Sequence, residues 1–428
     1  MKKILFILYT CCILSFPVSA QQIPSFKAND RIVFLGNSIT EGGHYHSYIW
    51  LYYMTHFPNL PLRMYNGGIG GDCVSHMVYR FDSDIKIKKP TYLICSFGMN
   101  DSGFDGYNKP GYDKYANQQV EYAHTEFEKL QRQILADKKI KSVVLLGSPP
   151  YDENVKLKGV EALHGKNETI KRIIEMQAEV AQKRGWGFVN FNTVMCGLNK
   201  QIQLSDSTAT FCGGDRIHPD KDGHMVMAYL FLKAQGLAGQ EIASFQINAT
   251  NRKAMEERNC RISHIKNEND TISFRYLSRS LPFPIDTIPR WGTKGTARDA
   301  IRQIPFMQEM NQEIMKVTDL HGIFRVTIDG IEIGCWSGDE LSKGVNLAEI
   351  TCTPQYQQSL SIMHLNEERC AIEKRLRQYM AMQYVFFKHR GLLFADNKAA
   401  LDVAKAERES HYLVKYLYTN YTQAMFPQ

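Results

Sequence analysis

Between residues 31 and 240, short apolar runs alternate with segments whose apolar positions recur at helical spacing. The runs at 31–35, 62–65, 91–97, 142–146 and 187–191 are apolar on both faces and read as buried strands, while 118–135, 168–183 and 223–234 carry the helical period. Strands that alternate with helices in this way predict a parallel sheet covered on both faces. After residue 240 the texture changes. Segments 244–249, 271–276 and 322–335 resemble strands of a small β-rich module, and Asp329-Gly330 marks a hairpin turn. Residues 297–315 read as a helix that Pro305 kinks or shortens. Residues 354–388 and 397–418 form amphipathic helical patterns, with Glu367, Glu368, Lys374 and Arg375 on solvent faces and 380–387 in a core. No heptad is sustained, so these helices are expected to pack on a domain rather than form a coiled coil. The resulting division is 21–240, a β-rich accessory region at 241–353, and a helical region at 354–428.

Composition adds room and compartment to that picture. The chain of 428 residues is 44% hydrophobic and 22% charged, an ordinary globular balance with length for two or three domains. Lys2 and Lys3 precede an apolar run from Ile4 to Phe16, then Pro17 and the small-residue pattern Val18-Ser19-Ala20, so residues 1–20 read as a secretory signal peptide. The run is too short for a retained membrane helix, and an exported protein, periplasmic or extracellular, is expected without stable membrane insertion. The formal charge of +7 becomes +5 when those two lysines are removed, and no basic run interleaved with aromatics suggests nucleic acid. Cysteines lack the spacing of a zinc site, so neither metal nor other cofactor is expected. Cys196 with Cys212, and Cys335 with Cys352, are the nearest disulfide candidates, with isolated thiols as the alternative. The sequence leaves the oligomeric state open.

Three sharp turns follow three successive strands: Gly36-Asn37-Ser38-Ile39-Thr40, Asn66-Gly67-Gly68-Ile69-Gly70-Gly71-Asp72 and Gly98-Met99-Asn100-Asp101. In a parallel sheet all three fall at the carboxyl edge, where ligands of open α/β sheets bind. A fourth segment, Asp215-Arg216-Ile217-His218-Pro219, follows the fifth strand and can reach the same edge. Each supplies a distinct part. Ser38 is a potential nucleophile, His218 a base, and Asp215 the carboxylate that orients it. The backbone N–H groups of Ser38 and Gly71, with the Asn100 side-chain amide, can serve as oxyanion donors. Any one of these turns alone has an ordinary structural explanation. Four in order, each beside a strand end, do not.

These four segments resemble the sequence blocks of the SGNH, or GDSL-type, hydrolases over residues 29–238, with the named positions on Ser38, Gly71, Asn100 and His218, and Asp215 as the triad acid. The resemblance implies a flavodoxin-like α/β/α fold and a serine esterase. Asn37 stands where the first block usually has Asp, and Ile39 where it often has Leu, so an altered loop rather than a dead site is expected. The run from Phe97 to Phe104 and the accessory region also resemble exported bacterial members thought to act on polysaccharides. The expected reaction is hydrolysis of a short acyl ester, acetyl on carbohydrate, through an acyl-enzyme. A lipase or thioesterase, or a non-catalytic glycan-binding protein on the same scaffold, are the alternatives. Smaller expectations attach to His44, Tyr45 and His46 as cleft lining or helix start, to Asp101 as a clamp on Asn100 or a substrate hydroxyl or as a helix cap, and to Trp291 as a sugar platform or a buried packing residue.

Overall fold

The structure is a computed structural model describing residues 22–269, 271–289, 294–395 and 397–425. The expected signal peptide and Trp291 lie outside the described residues. Five parallel strands, β1 (Arg31–Gly36), β2 (Arg63–Gly68), β3 (Tyr92–Phe97), β4 (Ser142–Gly147) and β5 (Gly187–Asn190), form one sheet in the order β2-β1-β3-β4-β5. That order is the flavodoxin-like one, with the crevice at the β1/β3 switch point. The strands are largely apolar because each face feeds a different core. Ile32, Phe34, Ile94 and Val144 pack on one side against α2 (His44–His56) and α7 (Lys221–Ala234). Val33, Leu35, Leu93, Cys95 and Leu145 pack on the other against α3 (Val74–Arg80) and α4 (Tyr112–Ala136). The short α1 (Ser38–Gly42), together with α5 (Lys166–Arg184) and α6 (Phe191–Ile202), completes the α/β/α layers.

The chain beyond residue 240 is joined to these layers by many side chains. Strand β6 (Ala243–Asn248) pairs in parallel with a strand at Glu313–Thr318 and antiparallel with β7 (Lys253–Arg258). The hairpin β8 (Cys260–Glu268) and β9 (Thr271–Ser278) follows. The helix expected over 297–315 is corrected: α8 (Ala297–Ile301) and α9 (Phe306–Met310) are separated around Pro305, and Glu313–Thr318 is strand β10. Its residues alternate, with Glu313, Met315 and Val317 buried, which is a strand's period of two rather than a helical one. Strands β11 (Ile323–Ile328) and β12 (Ile331–Ser337) meet at the Asp329-Gly330 turn as expected, and α10 (Gly338–Lys343) and β13 (Val345–Asn346) close the region. Ser280 Oγ donates to the His56 carbonyl at 2.7 Å, and Lys221 pairs with Asp286 at 2.6 Å, so the β-rich segment is stitched to α2 and α7.

The last region is a long helix, α11 (Pro354–Ala381), capped by the Thr353 side chain and Pro354 at its first turn, then α12 (Lys398–Ala406) and α13 (Tyr412–Met425). The single helix expected at 397–418 is therefore two, broken at 407–411. Ala381, Met382, Val385, Phe386 and Phe387 form a core with Leu413, Val414 and Leu417, and Ile69 from the second motif turn inserts into it. The eight described cysteines are free thiols, which corrects the disulfide candidates. Among the described residues no helix is long and apolar enough to cross a membrane, and no His/Cys/Asp/Glu cluster is arranged to hold a metal.

Candidate active site

The four motif turns converge at the carboxyl edge of the sheet. Asn37 ends β1, and its side-chain oxygen accepts from the Ile39 N–H at 3.0 Å, capping α1. Asn can do at this position what Asp does, because only an acceptor oxygen is needed. Ser38 is thereby the first residue of a helix, where its N–H has no intrahelical acceptor and the helix dipole favours negative charge. Its Oγ lies 2.7 Å from His218 Nε2, and His218 Nδ1 lies 2.5 Å from Asp215 Oδ2. An ionised carboxylate only accepts, so Nδ1 carries the proton and Nε2 is left to accept from Ser38. The other Asp215 oxygen accepts from the backbone N–H groups of Ile217 and His218, which fixes the short loop in one shape. Partial burial works to raise the Asp215 carboxyl, but the bonds from the His218 ring and backbone outweigh it and hold it below the usual carboxylate range.

The proposed oxyanion donors occupy the facing turns. Gly71 has φ +75° in the left-handed region, and no atom lies within 4 Å of the place a Cβ would take, so its backbone faces open space. Asn100 donates one of its two amide hydrogens to the Asp72 carbonyl at 2.8 Å, which aligns the second and third motif turns. Asp101 is the clamp beneath it, since its buried carboxylate accepts from Gly98 N–H at 2.8 Å and from Val74 N–H at 2.7 Å. It therefore orients Asn100's turn and satisfies the first N–H of α3 at once. His44, Tyr45 and His46 are in α2. Tyr45 and His46 are buried, and His44 and His46 border a cavity of about 210 Å³ against α11 whose lining contains none of Ser38, Gly71, Asn100 and His218.

Several supporting residues escaped the sequence reading. Arg80 is fully buried, donating to Asp72 at 2.7 Å, to Asp84 at 2.6 Å and to the carbonyls of Gly36 and Gly67, so one guanidinium ties the ends of β1 and β2 to the second turn. Burial pushes the Asp72 carboxyl up to about 7, with Arg80 opposing. Lys166 Nζ donates to the carbonyls of Met99 and Gly103 and to Ser102 Oγ, which locks the chain on both sides of Asn100. Burial pushes its ammonium down to about 7. Arg216, between the two triad residues, donates to carbonyls of Asp152 and Val155 and anchors the Asp215–His218 loop from below. A buried cation is not visible in sequence, since Lys and Arg are far more often exposed. Glu41 carried a signal: it is a lone acid in a motif of small and apolar residues, one helical turn after Ser38.

The chain is similar to several known proteins. Residues 34–226 match a family model described as the GDSL-like Lipase/Acylhydrolase family, and residues 360–428 match one described as the Diltiazem deacetylase C-terminal helical domain. An acetylxylan esterase of Geobacillus stearothermophilus is 23% identical over 224 residues, which is 49% of this chain and 95% of that protein. The solved structure of a gut microbial diltiazem-metabolizing enzyme is 47% identical with a TM-score of 0.90, covering 95% of this chain and 92% of the other. That likeness extends over almost the entire chain, and the chain belongs to the SGNH, or GDSL-type, family of ester-hydrolysing serine hydrolases.

Proposed function

We propose that this protein removes acetyl groups from esters. Ser38 Oγ attacks the acetyl carbonyl as its proton passes to His218 Nε2, and Asp215 stabilises the imidazolium that forms. The negative charge that develops on the carbonyl oxygen is met by the Ser38 and Gly71 N–H groups and the Asn100 amide. His218 then protonates the departing alcohol, and water hydrolyses the acetyl-enzyme by the same acid–base path in reverse. The observation that carries the reading is the continuous Ser38, His218, Asp215 relay at 2.7 and 2.5 Å. Acetyl as the acyl group is supported by both kinds of relative, an acetylxylan esterase and a diltiazem deacetylase family, which differ in the alcohol but share the acyl part. The side chains of His218 and Asp215 are 41% and 50% exposed, an open site that suits a bulky alcohol better than a long acyl chain.

For the alcohol, the first reading is a carbohydrate, supported by the acetylxylan esterase likeness. A second reading, diltiazem itself or an ester like it, is favoured by the likeness that spans almost the entire chain. The first twenty residues support export. The test is acetate release from acetylated xylan, diltiazem and para-nitrophenyl esters of rising chain length, with Ser38→Ala as the control. Acetate from the polymer supports the carbohydrate reading, and acetate from diltiazem alone supports the second. Faster turnover of long-chain than of acetyl esters, or undiminished turnover by Ser38→Ala, defeats the proposal. N-terminal sequencing of protein recovered outside the cytoplasm tests export; an intact Met1 there refutes processing.

A further inference from the structure

Glu41 is 3% exposed and sits on α1, yet two of the donors to its carboxylate come from the C-terminal helices. Its Oε2 accepts from the Gly70 N–H at 3.1 Å and from the Tyr416 hydroxyl on α13 at 2.6 Å. Its Oε1 accepts from Gln378 on α11 at 3.0 Å. One carboxylate thus joins the nucleophile's helix, the turn that carries Gly71, and two C-terminal helices. Three further contacts join the C-terminal helices to the same turn and to α3 beside it. The Tyr416 ring lies against Gly70 so closely that a Cβ there would stand 2.0 Å from Cζ. Ile69 is a member of the C-terminal helices' core. Tyr412 stacks on His76 with ring centroids 3.8 Å apart and planes 8° from parallel.

The Gly70–Gly71 peptide is the one whose orientation aims the Gly71 N–H. Flanked by two glycines, it has a low intrinsic barrier to reorientation, because neither side has a Cβ to resist it, and unlike the Gly67–Gly68 peptide it is not held in the sheet. Something other than local sterics must hold it, and the held neighbour is Gly70 N–H on Glu41. A buried carboxylate that lost one of its donors would be free to move toward its remaining partners, and Gly70 would move with it.

We propose that Tyr416 is a positioning residue for the oxyanion turn: through Glu41 and Gly70 it holds the Gly71 N–H in its donating orientation, so the C-terminal helices take part in transition-state stabilisation. The inference rests on the reading of Gly71 as an oxyanion donor. It reaches beyond that reading by giving α11 and α13 a role in the chemical step. Tyr416→Phe is the discriminating change, because it keeps the ring against Gly70 and Tyr416 is itself partly exposed, so packing survives while the bond to Glu41 is lost.

Steady-state kinetics on para-nitrophenyl acetate should show kcat lowered about 10- to 100-fold for Tyr416→Phe, below the loss for removing a donor outright, with KM within about twofold. Inhibition by methylboronic acid, which forms a tetrahedral adduct on a serine oxygen, should weaken by the same factor, while the thermal midpoint changes little. A kcat within twofold of the unmodified enzyme overturns the inference. So does a loss of kcat with unchanged boronate inhibition, which would assign Tyr416 a purely structural role. Ser38→Ala, assayed alongside, separates the two levels: if it retains turnover the underlying active-site reading fails, whereas if it is inactive and Tyr416→Phe is normal only the positioning role fails.

Discussion

Asp84 and Arg377 hold α11 to the sheet layers, and the structure ranks their removal. The Asp84 carboxylate is buried and receives Arg80 at 2.6 Å, Lys88 at 2.6 Å and Arg377 at 3.0 and 2.7 Å. Burial works against its charge, but Arg377, Lys88 and Arg80 together outweigh burial and hold the carboxyl well below its usual range. Asp84→Asn leaves three cations around one neutral amide, with Asp72, itself raised by burial, and the more distant Glu41 as the remaining carboxylates. Arg377→Met leaves Asp84 with two cations and removes one charge from a cluster in excess of positive charge. The first change strands buried charge, which costs about 3 to 5 kcal/mol. The second removes charge-assisted bonds from an ion that keeps other partners, about 1.5 to 3 kcal/mol.

Urea denaturation followed by tryptophan fluorescence should therefore place the Asp84→Asn midpoint below that of Arg377→Met. The acid side has a definite sign. A carboxyl whose folded pKa is depressed contributes stability above its unfolded value, near 4, and loses it progressively as pH falls below that value. The unmodified protein should lose stability on acidification below about pH 4 more steeply than Asp84→Asn does. An Asp84→Asn protein as stable as Arg377→Met, or an unchanged acid limb, would refute the charge argument.

Asn100→Ala should lower kcat by about 10² to 10³ with a smaller change in KM, measured on para-nitrophenyl acetate, because its amide is proposed to donate to the developing oxyanion; a change in KM alone would make it a substrate clamp. Lys166→Met should cost about 1 to 3 kcal/mol in denaturant midpoint for each carbonyl left without a donor, and should lower kcat beyond the folded fraction because Asn100's turn is released. Equal specific activity per folded molecule would confine Lys166 to stability. Gly70→Ala should destabilise and inactivate together, since its Cβ meets the Tyr416 ring rather than open space, and wild-type behaviour would contradict the close packing found there.

The parallel sheet was legible in sequence because its strands are apolar on both faces and end in glycine-rich turns. The triad could be located because a parallel sheet brings the ends of its strands to one edge, so four motifs distant in sequence become neighbours by topology. What stayed hidden depends on pairings that no local pattern encodes. Arg377 reaches Asp84 across 293 positions, and Tyr416 reaches Glu41 across 375. The segment 313–315, at the end of the expected helix, misled for a different reason: Ile314 and Met315 satisfy either period at that length, and pairing with β6 and β13 selects the strand. Lys166 lies just before the helix expected at 168–183, and the acceptors that bury it come from the turn after β3.

The Glu41–Tyr416 contact also orders events in time. The bond between Ser38 and His218 spans 180 positions and needs only the chain through α7, while the fastening of the oxyanion turn waits for α13. Entropy does not forbid so distant a closure, since its cost grows only logarithmically with the intervening length, but contacts of large separation form late. During synthesis, a chain that has already folded its sheet would hold its nucleophile beside its base with Ile69 uncovered and the Gly70–Gly71 peptide unfastened. On the inference above, such a nascent chain has its acid–base relay assembled and is still a poor esterase, and hydrolytic competence arrives with the docking of the last helix.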